Sequence, residues 1–345
     1  MAYTTINKST DYFNTKLYSG NASTQAITGV GFQPDWCWFK GRNFSDNHVS
    51  IDSVRGTNKA VYQDTTGAET TQTHYFTSFD SDGYTLGNSG IMNGSSKTYV
   101  SWNWKANGAG SANTDGGINS TVSVNNTAGF SIVKYGTGTG SATTVGHGLN
   151  AKPNFIIVKP LGTITTGGWI VGGDNIDSTY NEVSELNETA AKANDPSFND
   201  TAPTNQVFSV GNNNTNRSGE NYIAYCFVEK TGYSRFGSVT GNGSSDGTFV
   251  YCGFAPAFIM VKAKTSGNWF IYDNKRPGYN NVQQFLEADG NATEYTSNTN
   301  HSIDILSNGF KFTGGSGSNT SGRENIFMAF GQSLVGSNNV PCTAR

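Results

Sequence analysis

Charge is what this chain has least of. Asp, Glu, Lys and Arg make up 14% of its 345 residues, against roughly 25% in an ordinary soluble domain. The net charge is −3, and the Lys and Arg residues are scattered. A basic stripe, the electrostatic footprint of phosphate-backbone binding, is missing, so no nucleic-acid partner is expected. No apolar run approaches the roughly 18 residues of a helical membrane span, so no membrane insertion is expected. The polar stretch Met1 to Asn14 lacks the hydrophobic region of a secretory signal, so standard export is not expected. Cysteine is also scarce: Cys37, Cys226, Cys252 and Cys342 show no C-x-x-C spacing. That argues against a disulfide framework or a zinc site and for free thiols acting as small hydrophobes. Helical periodicity is nearly absent. Val183 to Asn194 and, more weakly, Val282 to Ala288 are the two segments expected to form short surface helices.

What the chain has is a pattern written three times. Each copy carries a Pro with a Lys six residues later: Pro34/Lys40, Pro153/Lys159 and Pro256/Lys262. Apolar runs lie between them: Trp36-Cys37-Trp38-Phe39, Phe155-Ile156-Ile157-Val158 and Phe258-Ile259-Met260-Val261. Each copy closes on an aromatic strand ending at Trp104, Phe227 or Phe330, which lie 70, 74 and 74 residues after the respective Pro. A period of about a hundred residues is too long for a solenoid unit and long enough for a small domain.

Short runs rich in Val, Ile, Phe, Tyr and Trp alternate with turn dipeptides such as Asn93-Gly94, Asp115-Gly116 and Asn308-Gly309. Their density predicts an all-β protein of three tandem antiparallel β-sandwich domains, of jelly-roll or lectin-like type. The consecutive bulky residues after each Pro predict a strand covered on both faces. The boundaries read as an attachment segment at 1–15, copies at 16–105, 129–228 and 229–331, a flexible linker at 106–128, and a tail at 332–345. The long linker predicts more freedom for the first copy than for the other two.

The candidate chemistry is thin. Asp80-Ser81-Asp82-Gly83 opens like a calcium loop, but the twelfth position is Ile91, so a β-turn is the better reading. His48, His74, His147 and His301 lack close metal-ligand partners and read as turn or surface residues. Gly138-Thr139-Gly140 and Gly241-Asn242-Gly243 precede no helix and read as turns rather than phosphate loops. Asp52, Asp174 and Asp177 are carboxylates that a glycan hydrolase could use, yet nothing marks them. Asp52/Arg55 and Asp273/Arg276 share an i, i+3 spacing and read as exposed structural ion pairs at strand ends. The Asn-x-Ser/Thr sequons at Asn21, Asn43, Asn93, Asn242 and Asn291 follow from composition. No catalytic, metal-binding or cofactor-binding residue is assigned, and no cofactor is expected.

Several segments together resemble a family of repeat-domain virion proteins of marine bacteriophages, described as tail-fibre or structural proteins. They include Leu17-Tyr18-Ser19-Gly20-Asn21, Asp52-Ser53-Val54-Arg55-Gly56, Tyr99-Val100-Ser101-Trp102-Asn103-Trp104, Val145-Gly146-His147-Gly148-Leu149 and Asn221-Tyr222-Ile223-Ala224-Tyr225-Cys226-Phe227. The resemblance implies a non-enzymatic protein on the outside of a phage particle, assembled in the host cytoplasm. Its first form is a tail or host-adhesion fibre whose Asn-, Ser- and Thr-rich loops meet a host cell-surface glycan. Its alternative is a head decoration or cementing protein, and a polysaccharide depolymerase ranks third. The implied partners are other virion proteins of tail, adaptor or capsid, and a homo-oligomer, with a trimer favoured. Domains packed side by side around a pseudo-threefold axis would mark the decorating role; a strung-out arrangement would mark the fibre.

Overall fold

The computed structural model describes residues 4–333 and 335, apart from 137, 163–166 and 212–213. The chain is all-β, built of antiparallel sheets. Each copy repeats one order of strands. A lead strand (Phe13–Ser19, Phe130–Tyr135, Ser234–Thr240) pairs with the closing strand (Thr98–Trp104, Tyr222–Phe227, Glu324–Ser333). The closing strand pairs on its other side with the Lys strand (Trp36–Gly41, Phe155–Pro160, Phe254–Ala263). A return strand (Val49–Asp52, Ile170–Gly173, Trp269–Asp273) and a rim strand (Lys59–Tyr62, Glu182–Glu185, Leu286–Glu287) complete the large sheet. A small sheet packs on it: Gln25–Thr28 with Gly83–Leu86 and Phe76–Asp80 in copy one, and Thr143–Gly146 with Val207–Val210 in copy two. In copy three it is Phe249–Tyr251 with Gly309–Phe312 and Ile303–Leu306.

Alternation of side chains along each strand separates two kinds of core. One face of each large sheet meets its own small sheet and forms a private core, as Cys37, Phe39, Ile51 and Tyr84 do in copy one. Equivalent private cores form in copy two around Ile156, Val158 and Phe208, and in copy three around Ile259, Val261 and Phe310. The other faces converge on one shared core containing Trp36, Trp102 and Trp104, Phe155, Tyr225 and Phe227, and Phe258, Met260 and Phe330. Trp36 of copy one stacks on Tyr225 of copy two with centroids 4.2 Å apart. Trp104 meets Phe258 and Phe330 of copy three at 5.6 and 5.8 Å, and Phe227 meets Phe330 at 5.8 Å. Offset and edge contacts of this kind contribute about 0.5–1.5 kcal/mol beyond area burial. The Lys strands are thus covered on both faces, as their unbroken apolar runs predict, and neighbouring copies supply one cover.

This shared core corrects several expectations. Residues 106–128 are no flexible linker: Ser111–Asn113 and Ser120–Asn125 extend the large sheet of copy two. Copy one is fixed against both neighbours rather than free. Within 1–15, Ile6 and Phe13 are buried in the shared core, and Phe13 opens the lead strand of copy one. Most of the tail from 332 lies outside the described residues, although the last closing strand runs on to Ser333. Val183 to Asn194 forms strands Glu182–Glu185 and Ala193–Asn194 instead of a helix, because the segment completes the rim of its sheet. Val282 to Ala288 likewise holds the short strand Leu286–Glu287. Cys37, Cys226 and Cys252 are buried free thiols; Cys342 lies outside the described residues.

Candidate functional site: a ring of equivalent interfaces

The repeated Lys explains how the copies meet. Lys40, Lys159 and Lys262 are all buried at the ends of their strands. Lys40 Nζ of copy one donates to the Asn291 carbonyl of copy three at 3.2 Å. Lys159 Nζ of copy two donates to Thr66 O of copy one at 3.1 Å. Lys262 Nζ of copy three donates to Thr189 O and Ala190 O of copy two at 3.2 and 2.9 Å. One side chain type, three times, binds the loop beyond the neighbour's rim strand. Burial lowers each ammonium from its ordinary range to about 8, and nearby carboxylates only partly offset this.

The same cyclic order recurs beside each Lys. Two residues further on, the carbonyls of Arg42, Leu161 and Lys264 accept N–H groups from Glu294, Glu69 and Lys192 of the respective neighbours. At the start of each return strand a ring nitrogen reaches the neighbouring rim. Trp169 Nε1 donates to Tyr62 O at 2.7 Å, and Trp269 Nε1 donates to Glu185 O at 2.8 Å. In copy one this place is taken by His48. Trp38 Nε1 donates to His48 Nδ1 at 2.8 Å, which leaves the proton on Nε2 to donate to Glu287 O at 3.0 Å. Burial, with Lys40 nearby, pushes this imidazole well below its usual pKa, so it works as a neutral stand-in for indole. The backbone N–H of each of these residues is held by a side chain at one matching place: Asp64, Asn187 and Asp289. Copy one docks on three, three on two, and two on one. A head-to-tail interface closes into a ring when its rotation allows, and here it closes after three units.

The Asp–Arg pairs lie inside this ring and are not exposed at strand ends. Asp52/Arg55 and Asp273/Arg276 have fully buried side chains, with Nε–Oδ2 distances of 2.5 and 2.6 Å. Each pair accepts one donor from a neighbouring copy: Tyr225 Oη to Asp52 Oδ2 at 2.9 Å, and Trp102 Nε1 to Asp273 Oδ2 at 3.1 Å. Burial alone would raise the Asp273 carboxyl, but Arg276 and the N–H groups of Arg276 and Lys275 hold it below its ordinary range. Burial alone would lower the Arg55 guanidinium, but Asp52 more than offsets it and keeps it high. Copy two has Gly173 and Ile176 at these places, and the neighbouring closing strand offers Met328 where Tyr225 and Trp102 stand. Polar pair and polar donor are replaced together.

Other singled-out residues have local work. Asp80 accepts from Ser78 and Thr85, and Asp82 accepts from the N–H groups of Gly29 and Gly31, so Asp80 to Gly83 is a turn. Asp174 pairs with Lys152 at 2.7 Å. Asp177 caps a turn through Thr179, Asn181 and Glu182, and these bonds outweigh desolvation and hold it at about 2. His147 is a turn residue but buried, accepting from Leu149 N at Nδ1; burial lowers it to about 4. His74 is exposed, and His301 is half-buried in a short 3₁₀ turn. No group of three metal-ligating side chains occurs among the described residues.

One repeated device was missed. Buried Asn93, Asn216 and Asn319 each anchor the turn after the lead strand, bonding Ser23 O, Ser141 O and Ser244 O. Their Oδ1 atoms accept the N–H groups of Asn21, Thr139 and Asn242. Their regular spacing from the turns they anchor, 72, 77 and 77 residues, was the available signal. The turns at Gly138 to Gly140 and Gly241 to Gly243 are therefore structural, as read. The sequon residues Asn93 and Asn242 belong to the same anchoring network.

No curated protein matches the chain. A family profile described as Domain of unknown function (DUF7483) matches residues 8–333, a single span that takes in all three copies and begins just before the first lead strand. The chain belongs to that family.

Proposed function

We propose that this protein is a non-enzymatic structural component of a bacteriophage particle, placed on its exterior as a head decoration or cementing protein. The observation that carries the reading is the closed ring. One chain presents three similar β-units around a shared aromatic core, which suits it to a site of local threefold symmetry made by three capsid subunits. A homotrimer of chains is not needed for that match, since one chain already supplies the three units. The phage assignment rests on the sequence resemblance. Buried Lys, Asp and Arg side chains are committed to holding the copies together, Asp174 to an ion pair with Lys152 and Asp177 to a local turn, which supports a role in assembly rather than chemistry.

A tail or host-adhesion fibre is the second reading. Its support is a groove of about 500 Å³ lined by Glu294, Tyr295, Thr296, Ser297, Asn298 and Asn300, with Tyr295 exposed. Hydroxyl, amide and aromatic groups suit sugar recognition. Cryo-electron microscopy of intact particles separates the two. Density repeated over the capsid lattice is expected. Density confined to the tail would overturn the decorating role, and absence from particles would overturn both.

A further inference from the structure

Copy two fills with its own chain a groove that is open in copy three among the described residues. In copy two, Ser120–Asn125 pairs with the outer edge of the lead strand Phe130–Tyr135. Just before it, Ile118 bridges in parallel to Val145, and its N–H donates to Thr144 O at 3.0 Å. Ile118 and Val122 are buried in the private core. The corresponding edges in copy three are the lead strand Ser234–Thr240 and the small-sheet strand Phe249–Tyr251. They line a groove of about 620 Å³ with no strand between them among the described residues.

The groove is built like its filled counterpart. Gly237 pairs with Phe327 where copy two pairs Val133 with Ala224. A Cβ on Gly237 would meet the Phe327 ring at 2.6 Å, so one large ring replaces two smaller side chains and keeps the floor apolar. Phe249 stands at the register place of Thr144, whose carbonyl receives Ile118. Backbone groups of successive residues alternate sides in an antiparallel strand. Thr248 O accepts Phe312 N, so the main-chain groups of Phe249 and Tyr251 face away from their partner strand. On the opposite edge, Phe236 N and O are bound by Glu229 and Asn175. Thr240 O accepts Thr248 Oγ1 at 2.8 Å, and Ser238 between the two turns its N–H and carbonyl to the same side for a partner strand. Phe249 and Tyr251 are 43% and 53% exposed, whereas copies one and two carry Ala26 with Thr28, and Thr144 with Gly146, at these places.

We propose that this groove binds an extended segment of a partner protein as an added β-strand. Open edges template such pairing, with main-chain bonds giving affinity and alternate side chains giving choice. The occupant's chemistry is set by the segment that fills copy two: β-branched apolar residues on one face, as Ile118, Val122 and Val124, set among uncharged polar ones. The groove's Arg235 already faces Glu229 at 3.7 Å, so no charge is demanded of the partner. The inference does not depend on where in a particle the protein sits.

The test titrates the full chain with a synthetic peptide of residues 117–125 and reads calorimetry and backbone hydrogen exchange. Exchange at residues 234–251 is expected to slow by about tenfold or more at saturation. The double variant Phe249→Ala, Tyr251→Ala is expected to weaken binding about tenfold with an unchanged unfolding midpoint. A peptide with Asp in place of Val122 is expected not to bind. No protection at millimolar peptide overturns the proposal. Protection by neutral oligosaccharides but not by the peptide overturns it in favour of a glycan site. Peptide binding insensitive to the double variant overturns the assignment to copy three.

Discussion

Two of the three interfaces are polar at their centre and the third is not. Copies one and three each bury an Asp–Arg pair and receive a Tyr or Trp donor from a neighbour. Copy two has Gly173, Ile176 and an incoming Met328 at the same places. Both solutions sustain one ring, so the ion pair is not what makes the ring close. The difference shows that the central positions change as a set. A buried carboxylate is kept where both an Arg and a neighbour's donor are present, and all three polar groups are gone where one is. This is the behaviour expected when an unpaired buried charge costs far more than an intact pair contributes.

The largest effect should come from breaking a set halfway. Asp273→Ala leaves Arg276 Nε and Trp102 Nε1 without their acceptor, and should cost about 3–5 kcal/mol in urea unfolding. Asp52→Ala should cost less, because Arg55 keeps Glu69 at 3.3 Å, whereas Arg276 Nη1 has no hydrogen-bond partner among the described residues. Converting the whole set to the copy-two solution, with Asp273→Gly, Arg276→Ile and Trp102→Met together, should give a protein more stable than Asp273→Ala alone. A less stable triple variant would break the comparison.

Next come the lysines, which all three interfaces share. Replacing one with Met strands buried carbonyls and should cost about 1–3 kcal/mol. Lys262→Met should cost the most, since its Nζ contacts four carbonyls, against two for Lys40. The lysines also set a pH dependence. Their folded pKa values of about 8 lie below the ordinary 10.5. Between those values the unfolded chain binds more protons, so stability should rise as pH increases from 8 towards 10. Above that range the buried tyrosines, which burial holds protonated in the fold, oppose the trend. A triple Lys→Met variant should flatten the rise, measured as urea midpoint against pH. The smallest effect belongs to the open edge of copy three: Phe249→Ser with Tyr251→Ser should leave stability within about 0.5 kcal/mol, as for other surface changes.

Much of the fold was legible because it is written in periodicity. The Pro–Lys spacing, the closing strands and the turn dipeptides located the copies and the strand-rich class. The unbroken runs around Trp38, Ile157 and Met260 even signalled two-sided burial. What covers the second face was not legible. Lys40, Lys159 and Lys262 bind backbone carbonyls, and a carbonyl acceptor leaves no mark on residue identity. Asp52/Arg55 was readable as a pair from its spacing, but its burial depends on Tyr225, about 170 residues away. The same blindness turned residues 106–128 into a linker: Gly, Ser and Asn suit an edge strand filling a groove as well as a flexible coil. Val183 to Asn194 looked helical in isolation, and the sheet rim overrode that local preference.

Three copies that share one core should behave as one cooperative body. Equilibrium urea unfolding followed by two probes tests it most directly. Trp fluorescence is weighted to copy one, which holds Trp36, Trp38, Trp102 and Trp104, while far-ultraviolet circular dichroism reports strands in all three copies. Coincident transitions are expected, with Asp273→Ala in copy three shifting both probes together. A fluorescence transition separate from the dichroism, or left unmoved by Asp273→Ala, would mean that the copies unfold as independent domains and would contradict the ring.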